Sequence, residues 1–275
     1  MRLTRRQCMS VLGVTAFAPL VLAQTFDHTH AAWNRLVKSL VVVQRGGRAS
    51  QVRYAGFLAQ RGALQDYLRQ LSAVPRVNFE AFTRAQQMAF LINAYNAFTV
   101  ELILTRYPRL ASIKDLGNWL STPWKLRWIA LLGETVSLDD IEHGMLRKRG
   151  VYNDPRIHFA VNCASIGCPM LREEAYVPEL IDQQLDAQMQ RFMADRERNR
   201  WNPKAERLEL SRIFDWYAED FRLGHQGIFS LHGLAARFAD VLADREADRA
   251  RVRSTQVLIT YLDYDWRLND AKVTS

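Results

Sequence analysis

The sequence predicts an α+β protein, predominantly helical, with a small antiparallel sheet. Two observations lead there. Apolar residues recur at helical spacing over long stretches, most clearly between residues 83 and 106. Short β-rich runs are confined to 131–136, 200–210 and 257–261, the first two turning at Gly133 and at Asn202-Pro203-Lys204. No Pro/Gly/Ser linker and no fixed-period repeat divides the chain, so residues 51–275 read as a single globular domain preceded by a helical segment, 24–50.

The first 23 residues read as a signal peptide. Arg2, Arg5 and Arg6 precede an apolar run from residue 9 to residue 23, and Val21-Leu22-Ala23 places compact residues before Gln24. Arg5-Arg6 forms a loose twin-arginine pattern, with Cys8 where a large apolar residue is preferred. The run is short for a membrane span of about 20 residues. The expectation is a cleaved, periplasmic protein with no stable membrane span. Cleavage takes Lys+Arg from 37 to 34 against 29 Asp+Glu, and the formal charge from +8 to +5. The remaining excess is scattered, without a basic stripe interleaved with aromatics, which excludes nucleic acid as a partner. A small-molecule or peptide ligand of the envelope is the partner class left, and no residue pattern calls for a cofactor.

Taken in order, residues 30–44 predict an amphipathic helix with Trp33, Leu36, Val37, Leu40 and Val41 on one side, stopped by Gly46-Gly47. His28 and His30 read as solvated residues of the start. A second helix is predicted over 54–71, with Leu64, Tyr67, Leu68 and Leu71 on one face and Pro75 beyond. The stretch 83–106 is apolar all round and predicts a buried helix. Asn93 and Asn96 lie inside it, where an unpaired amide costs about 1–3 kcal/mol. They either brace neighbouring loops or orient a catalytic imidazole or a substrate amide.

A hairpin turned at Gly133 leads to Ser137 and Asp140, a helix start whose body carries Glu142 and His143. For His143 the candidate carboxylate partners are Glu142, Asp215, Asp220 and Asp265. Further helices are predicted over 180–196, after Ser211, after Ser230 and over 243–253, with a strand over 257–261.

Residues 154–169 gather His158, Asn162, Cys163, Ser165 and Cys168 into one short segment. Ile157, Phe159, Val161 and Cys163 alternate as in a strand, while Asp154-Pro155 reads as a helix N-cap and first position, with Gly167 as a stop. The helical reading is preferred and places His158 and Asn162 on one face. Cys163 and Cys168 are the cysteines a cleaved chain keeps. Three chemistries fit them. Cys163 is a nucleophile with His158 or His143 as base and Asn93, Asn96 or Asn162 as orienting groups, backbone N–H groups holding the oxyanion, as in a thiol-dependent amide or peptide hydrolase or transferase. Alternatively the two cysteines form a disulfide in a non-enzymatic envelope protein. Or they join His158 and His143 at zinc, although Cys-x4-Cys departs from the usual ligand spacing.

His158-Phe159-Ala160-Val161-Asn162-Cys163-Ala164-Ser165-Ile166-Gly167-Cys168-Pro169 resembles the signature of the domain of unknown function 547 family. The segments 90–96, 137–143, 211–217 and 264–269 resemble that family in the same order, so the similarity extends from about Gln51 to the C-terminus. The resemblance implies a fold and a set of residues, not a reaction.

Overall fold

Thr83 and Gln86 form a reciprocal pair: Thr83 Oγ1 accepts from the Gln86 amide at 3.2 Å, and Gln86 Oε1 accepts from the Thr83 amide at 2.8 Å. This capping box starts helix α5 (Arg84–Leu104), in which every residue from Met88 to Leu104 is buried. The computed structural model describes residues 26–117 and 121–271. The predicted export segment, 1–23, lies outside the described residues.

Helices α2 (Tyr54–Ala59) and α3 (Arg61–Ser72) pack on α5, and α1 (Ala31–Leu40) packs on both of them. Two boundaries differ from the sequence reading. The helix expected over 30–44 ends at Leu40, because the β-branched Val41-Val42-Val43 joins strand β1 (Val41–Gln44), antiparallel to β2 (Ala49–Val52). The helix expected over 54–71 breaks at Gln60, whose φ of −108° and ψ of 22° leave the helical range. The short helix α4 (Arg76–Glu80) leads from Pro75 into α5.

His30 is not solvated, and His28 is half-buried. His30 is 1% exposed, its Nδ1 2.7 Å from Tyr67 Oη, and both imidazoles meet the Phe26, Phe82 and Phe90 cluster edge-on. Burying these rings covers apolar area that the start of the chain would otherwise leave wet.

The hairpin β3 (Ile129–Leu131) and β4 (Glu134–Val136) turns at Leu132-Gly133, both at positive φ. Ser137 and Asp140 then start a helix, but one of π type, Asp140–Leu146, closed by an i to i−5 bond from the Arg147 amide to Glu142 O at 2.8 Å. In the C-terminal half come α6 (Ile181–Met193), β5 (Arg200–Asn202), β6 (Arg207–Leu210), α7 (Ile213–Trp216), α8 (Leu231–Arg237), α9 (Ala239–Leu242), α10 (Glu246–Arg253) and β7 (Leu258–Tyr261). β5 pairs antiparallel with β6, while β7 lies parallel to β6, so the strands form three small sheets, one of them mixed.

The architecture is α+β, with two apolar clusters. One surrounds α5. The other gathers Phe159, Phe192, Phe214 and Phe221 with the last helices. Ile157 belongs to the first and Phe159 to the second, so the segment carrying His158 runs along the seam between them. No helix among the described residues is long and apolar enough to cross a membrane.

Candidate functional site

Asp154 caps a single 3₁₀ turn, Pro155–Phe159, its Oδ1 accepting from the Arg156 amide at 3.0 Å. Arg156 anchors that turn to α6: its buried guanidinium meets Asp154, Asp182 and Asp186 at 2.6–2.7 Å. The expected helix does not continue past the turn. The Asn162 amide donates to Asn96 Oδ1 at 2.8 Å and Ala160 O accepts from Asn96 Nδ2 at 2.9 Å, so backbone groups that would extend a helix are spent on α5. Residues 162–168 then form a loop in which Ala164 takes a positive φ of 63°. Asn162 clasps it, accepting from the Ala164 amide and donating to Pro169 O at 2.8 Å. The segment 264–271 lies alongside: Gly167 N donates to Asp265 O, Ile166 N to Arg267 O, and Asn269 N to Ala164 O. A Cβ on Gly167 would stand 3.0 Å from Asp265 N, which is why this close approach takes glycine.

His158 is buried. Its Nε2 lies 2.7 Å from Asp220 Oδ2, its ring stacks on Tyr217 with centroids 3.9 Å apart, and its Nδ1 has no partner. Burial lowers its pKa, outweighing the Asp220 carboxylate, so the imidazole is neutral near pH 7. Burial opposes ionisation of Asp220, but hydrogen bonds from His158 and from Arg147 Nε at 2.6 Å prevail and hold the carboxyl well below the usual range. A carboxylate accepts only, so Nε2 carries the proton and Nδ1 the lone pair.

Cys163 is half-buried on the loop, and both it and Cys168 are free thiols. The Cys163 amide donates to Cys168 Sγ at 2.9 Å, and Cys163 Sγ lies 3.1 Å from Tyr264 Oη. Hydrogen bonding from Cys168 first, then from Tyr264 and Ser165, brings the Cys163 thiol down to about 7 against the effect of burial. Burial pushes Cys168 up, so Cys163 is the sulfur that ionises. Burial also keeps the Tyr264 phenol protonated, which makes it the donor to a Cys163 thiolate.

These groups line one cleft of about 220 Å³, together with Glu142, His143, Tyr95 and the indoles of Trp124, Trp216 and Trp266. The cleft brings Cys163, His158 and His143 together. No hydrogen bond joins Cys163 Sγ to either imidazole. His143 is tied on both sides, accepting from Arg147 Nη1 at 2.5 Å through Nδ1 and facing Asp139 Oδ1 at 3.4 Å through Nε2. Among the described residues no group of three or more His, Cys, Asp or Glu side chains is arranged to hold a metal ion.

Residues 79–193 match the family described as "Protein of unknown function, DUF547". The match spans 115 of the 275 residues, and over that segment the chain is similar to this family. No curated protein and no solved structure matches the chain. The DUF547 segment carries α5, the π-helix, His158 and both cysteines. The partners of those side chains, Tyr217, Asp220 and Tyr264, come from beyond it.

The three asparagines serve the scaffold of the DUF547 segment. Asn93 pairs with both backbone groups of Tyr176, at 2.7 and 3.0 Å, while Asn96 and Asn162 hold the cysteine loop, and none contacts an imidazole. The residues that hold His158 are Asp220 and Tyr217, with Arg147 behind them at 4.6 Å over the Tyr217 ring. Asp220 stood in the sequence as a candidate acid for His143, and Tyr217 and Tyr264 stood in the aromatic-acidic segments 211–217 and 264–269. The signal for Arg147 is its i, i+4 spacing from His143.

Proposed function

We propose that this DUF547 protein is exported to the periplasm and is a thiol-dependent hydrolase or transferase of amide or peptide bonds, with Cys163 as nucleophile and His158 as general base. Export is supported by the charged start and apolar run of residues 1–23. The single observation that carries the chemistry is the buried, unpartnered Nδ1 of His158, its tautomer fixed by Asp220, on a residue that lines the same cleft as a thiol lowered to about 7. His143 is the weaker candidate, because its Nδ1 is occupied by Arg147.

In this reading the Cys163 proton passes to His158 Nδ1 and the sulfur attacks the amide carbonyl. The S–C bond forms, the C–N bond breaks, and the amine leaves with the proton that His158 returns. Water or an amine acceptor then releases the acyl group and restores the thiol. The amides of Asn162, Cys163, Ala164, Ile166, Gly167 and Cys168 are already hydrogen-bonded, so these N–H groups do not form an oxyanion hole.

Treating the mature protein with a thiol-reactive amide probe tests this. The expected result is label on Cys163, none in a Cys163→Ala variant that melts normally, and label slowed at least tenfold in His158→Ala. Label no faster than on the unfolded chain, or an intact mass showing a Cys163–Cys168 bridge with no labelling, overturns it in favour of a structural protein.

A further inference from the structure

The cleft has an aromatic shelf whose size and exposure the thiol chemistry does not require. Trp266 lies 5.6 Å from Trp216, nearly parallel at 28°, 5.8 Å from Trp124 and 4.5 Å from Tyr264. All four rings line the same cleft as Cys163. Lys114 Nζ already sits over one ring, 3.8 Å from the Trp266 centroid. Trp216 leaves 46% of its surface exposed, although Phe214 of the same short helix is fully buried. A large indole left exposed beside a polar cleft forgoes the burial it could otherwise contribute, and such rims mark ligand sites.

We infer that this shelf binds a saccharide ring, so that the amide presented to Cys163 is one attached to a sugar. The inference rests on the proposed thiol reading for its reactive end only. Three features select a sugar. The rings touch one another at 4.5–5.8 Å, so they enclose no cage for a quaternary ammonium and instead offer faces. A pyranose presents a flat patch of C–H groups, slightly positive, that stacks on the negative face of an indole. The lining also includes the carboxylates of Asp139 and Glu142, two acids against the one ammonium of Lys114 that reaches over Trp266. That suits the many hydroxyl donors of a sugar and disfavours phosphorylated or otherwise anionic ligands. At about 220 Å³ the cleft is small for a drug-sized ligand and suits one ring with its amide substituent.

Calorimetric titration of the mature Cys163→Ala protein with chitotriose, an oligomer of N-acetylated hexosamine, separates this inference from the thiol chemistry, because binding needs no nucleophile. Saturable binding is expected, weakened at least tenfold in Cys163→Ala/Trp216→Ala and less than threefold in Cys163→Ala/Trp216→Phe, which keeps an aromatic face. No saturable heat with chitotriose overturns the inference, as does equal binding by the alanine variant or heat only from an unglycosylated aromatic peptide. Labelling of Cys163 by the amide probe reads the thiol proposal on its own, so the two fail independently.

Discussion

His158 Nε2 and Arg147 Nε converge on one oxygen, Asp220 Oδ2, at 2.7 and 2.6 Å. That shared acceptor fixes which imidazole nitrogen carries the proton and leaves the lone pair on Nδ1. Asp220→Asn takes away the negative charge and offers an amide that is donor on one side and acceptor on the other. The expected outcome is a mixture of His158 tautomers in ¹⁵N NMR where the parent protein shows the Nε2–H form. Probe labelling of Cys163 is expected to fall by roughly 10²–10⁴-fold, the usual contribution of a positioned acid-base group. An unchanged tautomer with unchanged labelling removes Asp220 from the site.

The Cys163 thiol, brought down to about 7, predicts the pH course of its reactivity. The thiolate is the attacking form, so alkylation by iodoacetamide rises through about pH 7 and levels above it. Tyr264→Phe deletes the hydrogen bond at 3.1 Å. A bond to a charged acceptor of about 1.5–3 kcal/mol corresponds to a midpoint higher by about 1–2 pH units. Rate profiles of both proteins check this, and coincident midpoints exclude Tyr264 as the donor.

The parts of the fold that local chemistry decides were legible in the sequence, and the parts decided by distant neighbours were not. Helix α5 announces itself through Thr83, Gln86 and an unbroken apolar surround. The segment 154–169 does not, because Asp154-Pro155 commits only one turn and Asn96, 66 positions before Asn162, takes the amide that would have carried the helix onward. His158, Cys163 and Cys168 were readable as candidates by residue type. Their partners were not, since Asp220 stands 62 positions from His158 and Tyr264 stands 101 from Cys163. Asn93 and Asn96 show the same division: burial told that they must be bonded, and only the fold tells that their partners are backbone.

Asn96→Ala leaves Ala160 O and the Asn162 amide without the partners they have at 2.9 and 2.8 Å, both in buried surroundings. Each orphaned group costs about 1–3 kcal/mol, and the truncated side chain leaves a void. A loss of about 2–4 kcal/mol in unfolding free energy is expected from urea titration. Faster amide exchange across 160–164 should accompany it, because the bonds lost are those that hold the cysteine loop to α5. A variant of parent stability shows that the loop is held by its other contacts.

His30 gives the protein an acid limit independent of the cleft. Burial is the dominant cause that takes its pKa down to about 3, with Asp27 opposing. The unfolded chain binds that proton near 6.5. Between about pH 6.5 and 3 the unfolded state therefore holds more protons at this site, so the contribution of neutral His30 is complete above pH 6.5 and is lost as pH falls toward 3, by up to about 1.4 kcal/mol per pH unit. His30→Asn tolerates the backbone φ of 49° but gives up the contact with Tyr67 Oη at 2.7 Å. It is expected to be less stable than the parent at pH 7 by about 1–3 kcal/mol, with the gap narrowing as the pH drops. Urea midpoints of both proteins at pH 7, 6, 5 and 4 measure the gap, and a constant difference across that range means that His30 does not titrate with unfolding.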